Sequence, residues 1–322
     1  MVEKRGMFTI GVDVGGTKIE TALVGADGRV VASNRRPTDP ASGADAVIRA
    51  IADSATEYLK WPEGKPTALG IGVAGQIDLE AGVVLFAPNL GWRNVPLGPE
   101  LERLLGLPVV VVNDVRAAAW GEVTHGVGIG VQELVCVFVG TGIGGGIVST
   151  GKLITGCSNA AGEIGHTTVV AGGRKCRCPN SGCLEAYSGG WAIGERAQES
   201  VVQNPSLGSL MVSLAGSVDA ITASTVSDAF HSGDALATKL VEETADYLSA
   251  GIVSVINFLN PALVVLGGGV VEGTPELIEM VDVRFRAKAL PAAADRARLC
   301  KAALGNDAGV IGAAALARAG HS

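Results

Sequence analysis

Two segments of this chain carry the same device: a buried strand, a run of glycines, and a second strand closed by a turn. FTIGVDVGG (residues 8–16) is an apolar run ending in glycines, and ETALVGADGRVVASN then alternates around an Asp27-Gly28 turn, so the glycines join two strands of a hairpin. ELVCVFVGTGIGGGIVSTGKL, from Glu133 to Leu153, repeats the plan. In the two common nucleotide-binding units the glycines open a helix instead, and a P-loop needs Lys followed by Ser or Thr, whereas here Thr17 precedes Lys18. Gly140, Gly142 and Gly145 satisfy G-x-G-x-x-G, but the strand-like IVST follows them, so the dinucleotide reading fails for want of its helix. The chain therefore reads as a duplication.

Helical periodicity spans Ala44 to Leu59, Pro99 to Leu105, Gly190 to Val202, Thr225 to Phe230 and Leu236 to Leu259. Thr274-Pro275 reads as an N-cap and first-turn pair opening a helix through Met280 or beyond, and the alanine-rich tail from Asp307 to Ala319 as helical. Residues 203–224, rich in Ser, Gly and Asn, read as a surface connection without chemistry. Two meander-plus-helix domains, each offering a glycine hairpin to one cleft, resemble the duplicated ribonuclease H-like fold of actin and hexokinase. The expected division is an N-terminal α/β domain, residues 1–117 with the terminal helix 303–322, and a larger α/β domain, residues 118–302.

Apolar residues at 48% and charged residues at 18% exclude a disordered or fibrous chain. Glycine, 46 of 322 residues, is at about twice its usual share, and its clustering suggests backbone approaching a ligand. A net charge of −7 without a basic run argues against a nucleic-acid partner. The uncharged stretch Tyr247 to Val271 is long enough to span a bilayer. However, Asn260-Pro261 breaks it, Asn257 would be unpaired in lipid, and Gly267-Gly268-Gly269 follows ALVVL, so helix, turn, strand and glycine loop is the better reading. The N-terminal apolar run is too short for a secretory core, which places the protein in the cytoplasm, away from membranes.

The most specific cluster is Glu163-Ile-Gly-His166, followed by Cys176-Arg-Cys178 and Cys183-Leu-Glu185. Three cysteines within eight residues, with no export signal, favour metal over disulfides. Three thiolates and the His166 imidazole make a tetrahedral set suited to zinc, and four protein ligands close the site, so its role is structural. Cys136, Cys157 and Cys300 stand alone and read as packing residues.

Asn113-Asp114 ends the buried run LPVVVV, at the end of a strand where open α/β sheets bind ligands. Asp114 is either a general base for an attacking hydroxyl or the Asx cap of the helix that follows. Asp13 either caps its hairpin or faces the Mg²⁺ that accompanies a nucleoside triphosphate. Lys18 is a phosphate contact or a solvated hairpin charge. Trp92 reads as core, with Asn89 available to orient a polyol.

Asp13-Val-Gly-Gly-Thr-Lys18, Ala87-Pro-Asn-Leu-Gly-Trp92, Asn113-Asp114, Gly140-Thr-Gly-Ile-Gly-Gly-Gly146, Glu163-Ile-Gly-His166 and the Cys-x-Cys-x₄-Cys-x-Glu run resemble, in order, the ROK family of repressors and sugar kinases. Within it the chain is most similar to the bacterial ATP-dependent glucokinases. The resemblance implies Asp114 as catalytic base toward the sugar 6-hydroxyl, and Gly75, Asn89, Asn113, Asp114, Glu163, His166 and Glu185 as sugar-binding groups. It implies that Asp13, Gly15, Gly16, Thr17, Lys18, Gly140, Thr141 and Gly142 hold phosphates, with Asp13 on Mg²⁺, and that Gly267, Gly268 and Gly269 lie by the nucleoside. His166, Cys176, Cys178 and Cys183 would hold structural Zn²⁺, the second nitrogen of His166 facing the sugar. The expected reaction is phosphorylation of glucose by ATP in a homodimer or homotetramer. Kinases for N-acetylglucosamine, N-acetylmannosamine, mannose or fructose are the near alternatives. A regulator is the distant one, since the first strand begins too early for a helix-turn-helix. Pro179, where the family usually has glycine, and Val115-Arg116, where it usually has small or amide residues, depart from the pattern.

Overall fold

The computed structural model describes residues 8–320; the stretch preceding Phe8, read above for a leader, lies outside them. Contacts divide the chain into two units, residues 8–131 with 151–161 and 303–320, and residues 132–150 with 162–302. In the first, β1 (Phe8–Val14), β2 (Lys18–Val24) and β3 (Val30–Pro37) form an antiparallel meander. After α1 (Ala44–Thr56), β4 (Pro66–Val73) runs parallel to β1. β5 (Gln76–Asp78), β6 (Val83–Ala87) and β7 (Trp92–Val95) make a small antiparallel sheet of their own. α2 (Leu97–Leu105) leads to β8 (Val109–Asn113), parallel to β4, and α3 (Asp114–His125) follows without a break.

β9 (Leu134–Val139) and β10 (Ile143–Ser149) form the second hairpin, and β11 (Lys152–Ile154) follows the Thr150-Gly151 turn. Then come α4 (Glu185–Ser188), α5 (Gly190–Gln203), α6 (Ser209–Ala215), α7 (Ala223–His231), α8 (Ala235–Leu259), β12 (Leu263–Gly267), α9 (Gly269–Gly273), α10 (Leu277–Arg286), α11 (Pro291–Ala294) and β13 (Arg298–Lys301). The last helix, α12 (Ala308–Ala319), belongs to the first unit. The order β2-β1-β4-β8 in one sheet is matched by β10-β9-β12-β13 in the other, with an antiparallel pair followed by two parallel strands in each. This is the duplicated ribonuclease H-like, actin/hexokinase-type architecture.

α8 organises the second core. Asp234 opens it by accepting the Ala237 amide at 2.8 Å, and Asn260, left-handed at φ 49°, ends it just before Pro261. Its Leu240, Leu248, Ile252 and Ile256 are buried in one cluster with Val264 and Leu266 of β12. Each such side chain contributes about 1.5–3 kcal/mol by leaving water. Asn257 is satisfied too, accepting the Leu290 amide at 2.9 Å. Among the described residues no helix is long and apolar enough to cross a membrane.

Much of the glycine excess has a cause other than ligand binding. α12 lies directly on the backbone of the first sheet: a Cβ on Gly11 of β1 would stand 1.9 Å from the Val310 carbonyl oxygen, and one on Gly70 of β4 would stand 1.8 Å from that of Ala313. Helix and sheet meet backbone to backbone, a closeness that even alanine forbids.

Four expectations change. Residues 203–224 are no mere surface connection: they contain α6, bury Met211 and Ile221 in the second core, and include Thr222, whose hydroxyl caps α7 through the Thr225 amide. Thr274 does not cap α10, which starts at Leu277. It closes α9, and its hydroxyl donates to Ser227 Oγ at 3.1 Å. Cys157 is exposed and so packs nothing, whereas Cys136 is buried. The unit division falls after Val131 where Ala117 was expected, because α3 is a single helix packed against α12: a Cβ on Gly121 would stand 2.7 Å from the Ala308 carbonyl oxygen.

Candidate functional site

The parallel strands β1, β4 and β8 end side by side at Val14, Val73 and Asn113, and the first group of candidate residues gathers at those ends. The hairpin turn between β1 and β2 closes with the Gly15 amide on the Lys18 carbonyl at 2.9 Å. Thr38 braces it, its hydroxyl donating to Gly15 O at 2.8 Å and its amide to Thr17 O at 2.9 Å. Over the turn lies the Pro88–Leu90 helical turn: a Cβ on Gly16 would stand 3.2 Å from the Asn89 carbonyl oxygen. Asn89 itself is exposed, and Trp92 is buried in the core as expected. Thr38 carries no sequence signal, because it reaches the turn from the end of a different strand.

The cap of α3 is Asn113. Its side-chain oxygen accepts the amides of Val115 and Arg116 at 3.1 and 3.2 Å, and its Nδ2 donates to Gly75 O at 3.3 Å. The Asx-cap alternative for Asp114 therefore falls, since Asp114 is the first residue inside the helix and the capping is done by its neighbour. A Cβ on Gly72 would stand 3.2 Å from Asp114 Cα, so β4 approaches this residue closely.

Asp13 does not cap the hairpin turn, which is closed by its own backbone and braced by Thr38. Burial, then the charge of Asp114, push its carboxyl up to about 6, with Lys18 opposing. Two carboxylates that repel each other in a half-buried place suit a divalent cation, and Mg²⁺ prefers one or two carboxylates together with phosphate oxygens. Lys18 is no free hairpin charge: its Nζ pairs with Glu20 Oε2 at 3.0 Å, and Arg35 Nη2 reaches Glu20 Oε1 at 2.9 Å.

In the second unit the glycine turn between β9 and β10 is bolted to the start of α5. The Gly190 amide donates to Gly140 O at 2.9 Å and the Trp191 amide to Thr141 O at 3.0 Å. Glu185 Oε2 accepts the Ile143 amide at 2.8 Å, and a Cβ on Gly142 would stand 2.4 Å from that same oxygen. Glycine is required there for the carboxylate to reach the backbone. Beside this turn opens a pocket of about 420 Å³, lined by Gly140, Thr141, Trp191, Thr222, Ser227 and Gly269, among others. Of the glycines assigned to the nucleoside, Gly269 lines it. Gly268, at φ +91°, turns the chain against Val139, and a Cβ on Gly267 would stand 2.8 Å from both Phe138 and Ala302. Thr222 and Ser227 escaped sequence reasoning because Thr-x-x-Thr lacks the acidic third residue that marks a capping box.

The expected metal ligands converge. One atom each from His166, Cys176, Cys178 and Cys183 lies within 4.8 Å of all the others. Cys178 and Cys183 Sγ are 3.6 Å apart, and Cys176 Sγ is 3.7 Å from His166 Nδ1. A disulfide would bring two sulfurs to about 2 Å, whereas tetrahedral zinc with bonds of about 2.3 Å sets its sulfurs about 3.8 Å apart. Burial pushes the Cys176 thiol up to about 12, and a bound cation would bring it down toward thiolate. Asn180 Nδ2 donates to Cys183 Sγ at 3.4 Å, and Lys175 Nζ to Pro179 O at 2.8 Å, so Pro179 leaves all four ligands in place. Glu163 sits at the head of the Ile164–His166 turn, its carbonyl accepting the His166 amide at 3.0 Å.

Comparison with known proteins adds to this geometry. The profile of the ROK family matches residues 9–320. A glucokinase of Halalkalibacterium halodurans is 38% identical over 94% of this chain and 92% of its own length. A glucokinase of Streptomyces coelicolor is 35% identical over 97% and 98%. The crystal structure of a ROK family glucokinase from Streptomyces griseus, in complex with glucose and AMPPNP, superposes with a TM-score of 0.84 at 36% identity, covering 97% of this chain and 99% of that one.

Proposed function

Since the chain belongs to the ROK family, we propose that it transfers the γ-phosphoryl group of ATP to the 6-hydroxyl of glucose, with Asp114 taking the hydroxyl proton. The observation that carries this reading is the place of Asp114, in the first turn of α3 at the end of β8, near enough to Asp13 for its charge to raise that carboxyl. The bond between the sugar oxygen and Pγ forms as the bond from Pγ to the bridging oxygen of ADP breaks, and the proton passes to Asp114. Such a transfer rests on positioning and charge neutralisation more than on covalent help. Backbone amides of the two glycine turns offer donors to phosphate oxygens. The pocket beside Thr141 and Gly269 takes the nucleoside.

Asp13 holds Mg²⁺ in this reading, and the cation supplies neutralisation of the triphosphate. His166, Cys176, Cys178 and Cys183 hold Zn²⁺, which orders the loop carrying Glu163, His166 and Glu185 toward the sugar hydroxyls. The metal site is closed and takes no part in bond making. The protein acts in the cytoplasm on small molecules, as a homodimer or homotetramer.

The test is steady-state phosphorylation of glucose, mannose, fructose, N-acetylglucosamine and N-acetylmannosamine, with ATP, ADP and polyphosphate as donors. The reading expects the highest kcat/KM for glucose with ATP. A higher value for an N-acetylated sugar would move the substrate, and no transfer from ATP to any of them would end the kinase reading.

A further inference from the structure

Trp191 sits where three parts of the second unit meet. Its amide holds Thr141 of the glycine turn, its indole Nε1 donates to Glu185 Oε1 at 3.2 Å, and the residue lines the pocket. The other lining residues are Gly, Ala, Ser, Thr and Val, so Trp191 is the one aromatic residue among them. The Arg177 guanidinium stands over the same ring, its Cζ 4.3 Å from the centroid, and Arg177 Nη2 also reaches Glu195 Oε1 at 3.4 Å. Arg177 lies between Cys176 and Cys178, two of the four metal-ligand candidates, so whatever fixes those thiolates fixes the root of its side chain.

We propose that the indole of Trp191 is the stacking surface for the nucleotide base, and that Arg177 holds it there, so that the metal loop governs nucleotide affinity. This rests on the nucleotide reading of the pocket given above. A base stacks on an aromatic face whatever its hydrogen-bonding edge, and loss of such a face weakens binding by about tenfold or more. The exposed Arg177 cation over the half-buried ring contributes less, about two- to fivefold. Arg177 and Trp191 are thus positioning and binding groups, with no part in the chemistry.

The experiment titrates the zinc-loaded protein with Mg·ADP, following tryptophan emission and, in parallel, heat by calorimetry. Trp191 is one of four tryptophans, so its contribution is the difference between the parent and Trp191→Phe. Nucleotide is expected to quench the parent, and Trp191→Phe is expected to lose that change while keeping affinity within about threefold. Trp191→Ala should bind about tenfold more weakly. Arg177→Ala should weaken binding about two- to fivefold, with Arg177→Lys restoring it. Cys178→Ser should weaken it by the same factor, and combining Cys178→Ser with Arg177→Ala should add nothing further. Calorimetric binding to the parent with unchanged emission and equal affinity in Trp191→Ala would overturn the inference while leaving the nucleotide reading intact. Unchanged affinity in Cys178→Ser would overturn its metal-loop half. Absence of nucleotide heat with the parent would remove the nucleotide reading itself.

Discussion

Glu185 accepts the backbone amide of Ile143 at 2.8 Å, across 42 residues of sequence, and its other oxygen accepts Trp191 Nε1 at 3.2 Å. One carboxylate, two residues after the last metal-ligand cysteine, thereby ties the metal loop to the glycine turn and to the pocket wall.

Replacing Glu185 by Gln keeps the shape but turns one acceptor into a donor, which then faces an N–H. Charge-assisted hydrogen bonds are worth about 1.5–3 kcal/mol, so Glu185→Gln should lower stability by about that much and raise KM for both substrates. Urea unfolding and steady-state kinetics check this. A rise confined to the sugar KM would mean the bond to Ile143 is dispensable.

Protein purified without added metal should carry about one Zn²⁺ per chain, measured by elemental analysis, and Cys178→Ser should lose it. Removing the metal should lower the melting temperature, since three crowded thiols then lose the cation that holds them together. A melting temperature indifferent to chelation would contradict a structural metal.

Gly11→Ala and Gly70→Ala each place a methyl less than 2 Å from a carbonyl oxygen of α12. Backbone must move, so each should destabilise the first unit by about 3 kcal/mol. The alanine-rich α12 was legible as a helix, but the distance at which it packs was not, because sequence periodicity reports which face is buried and says nothing of how near the partner backbone lies.

The same boundary runs through the site. The two glycine hairpins and the convergence of the Cys₃His set were legible because each is a local pattern with a narrow chemical meaning. Which member of the Asn113-Asp114 pair caps α3 was not, since Asn and Asp cap almost equally well and only the backbone angles separate them. Trp191 was missed for another reason: it lies in α5 and meets the Thr222 and Ser227 segment at the pocket only in the fold, and a tryptophan in a helix is ordinary on its own.

His125, in the last turn of α3, lies under the Gly25 to Arg29 turn, where a Cβ on Gly28 would stand 2.3 Å from its ring. Burial lowers its pKa, Arg318 lowers it further, and Asp27 opposes. The folded state thus prefers the neutral ring: the stability it contributes is present above the ordinary imidazole value of about 6.5 and is lost as pH falls through the lower folded value. Asp13, its carboxyl raised to about 6, contributes with the opposite sign, so the test is a difference: the urea midpoint of the parent minus that of His125→Gln should fall as pH drops below about 6.5. A constant difference would place the acid sensitivity elsewhere.

The most direct measurement is the kinetics of Asp114→Asn with glucose and ATP, alongside calorimetric binding of glucose. Asparagine nearly preserves the shape of the side chain and removes its basic lone pair, so kcat should fall by roughly 10²–10⁴ while glucose still binds. A kcat near the parent value, with only the glucose KM raised, would make Asp114 a binding group and contradict its assignment as the base.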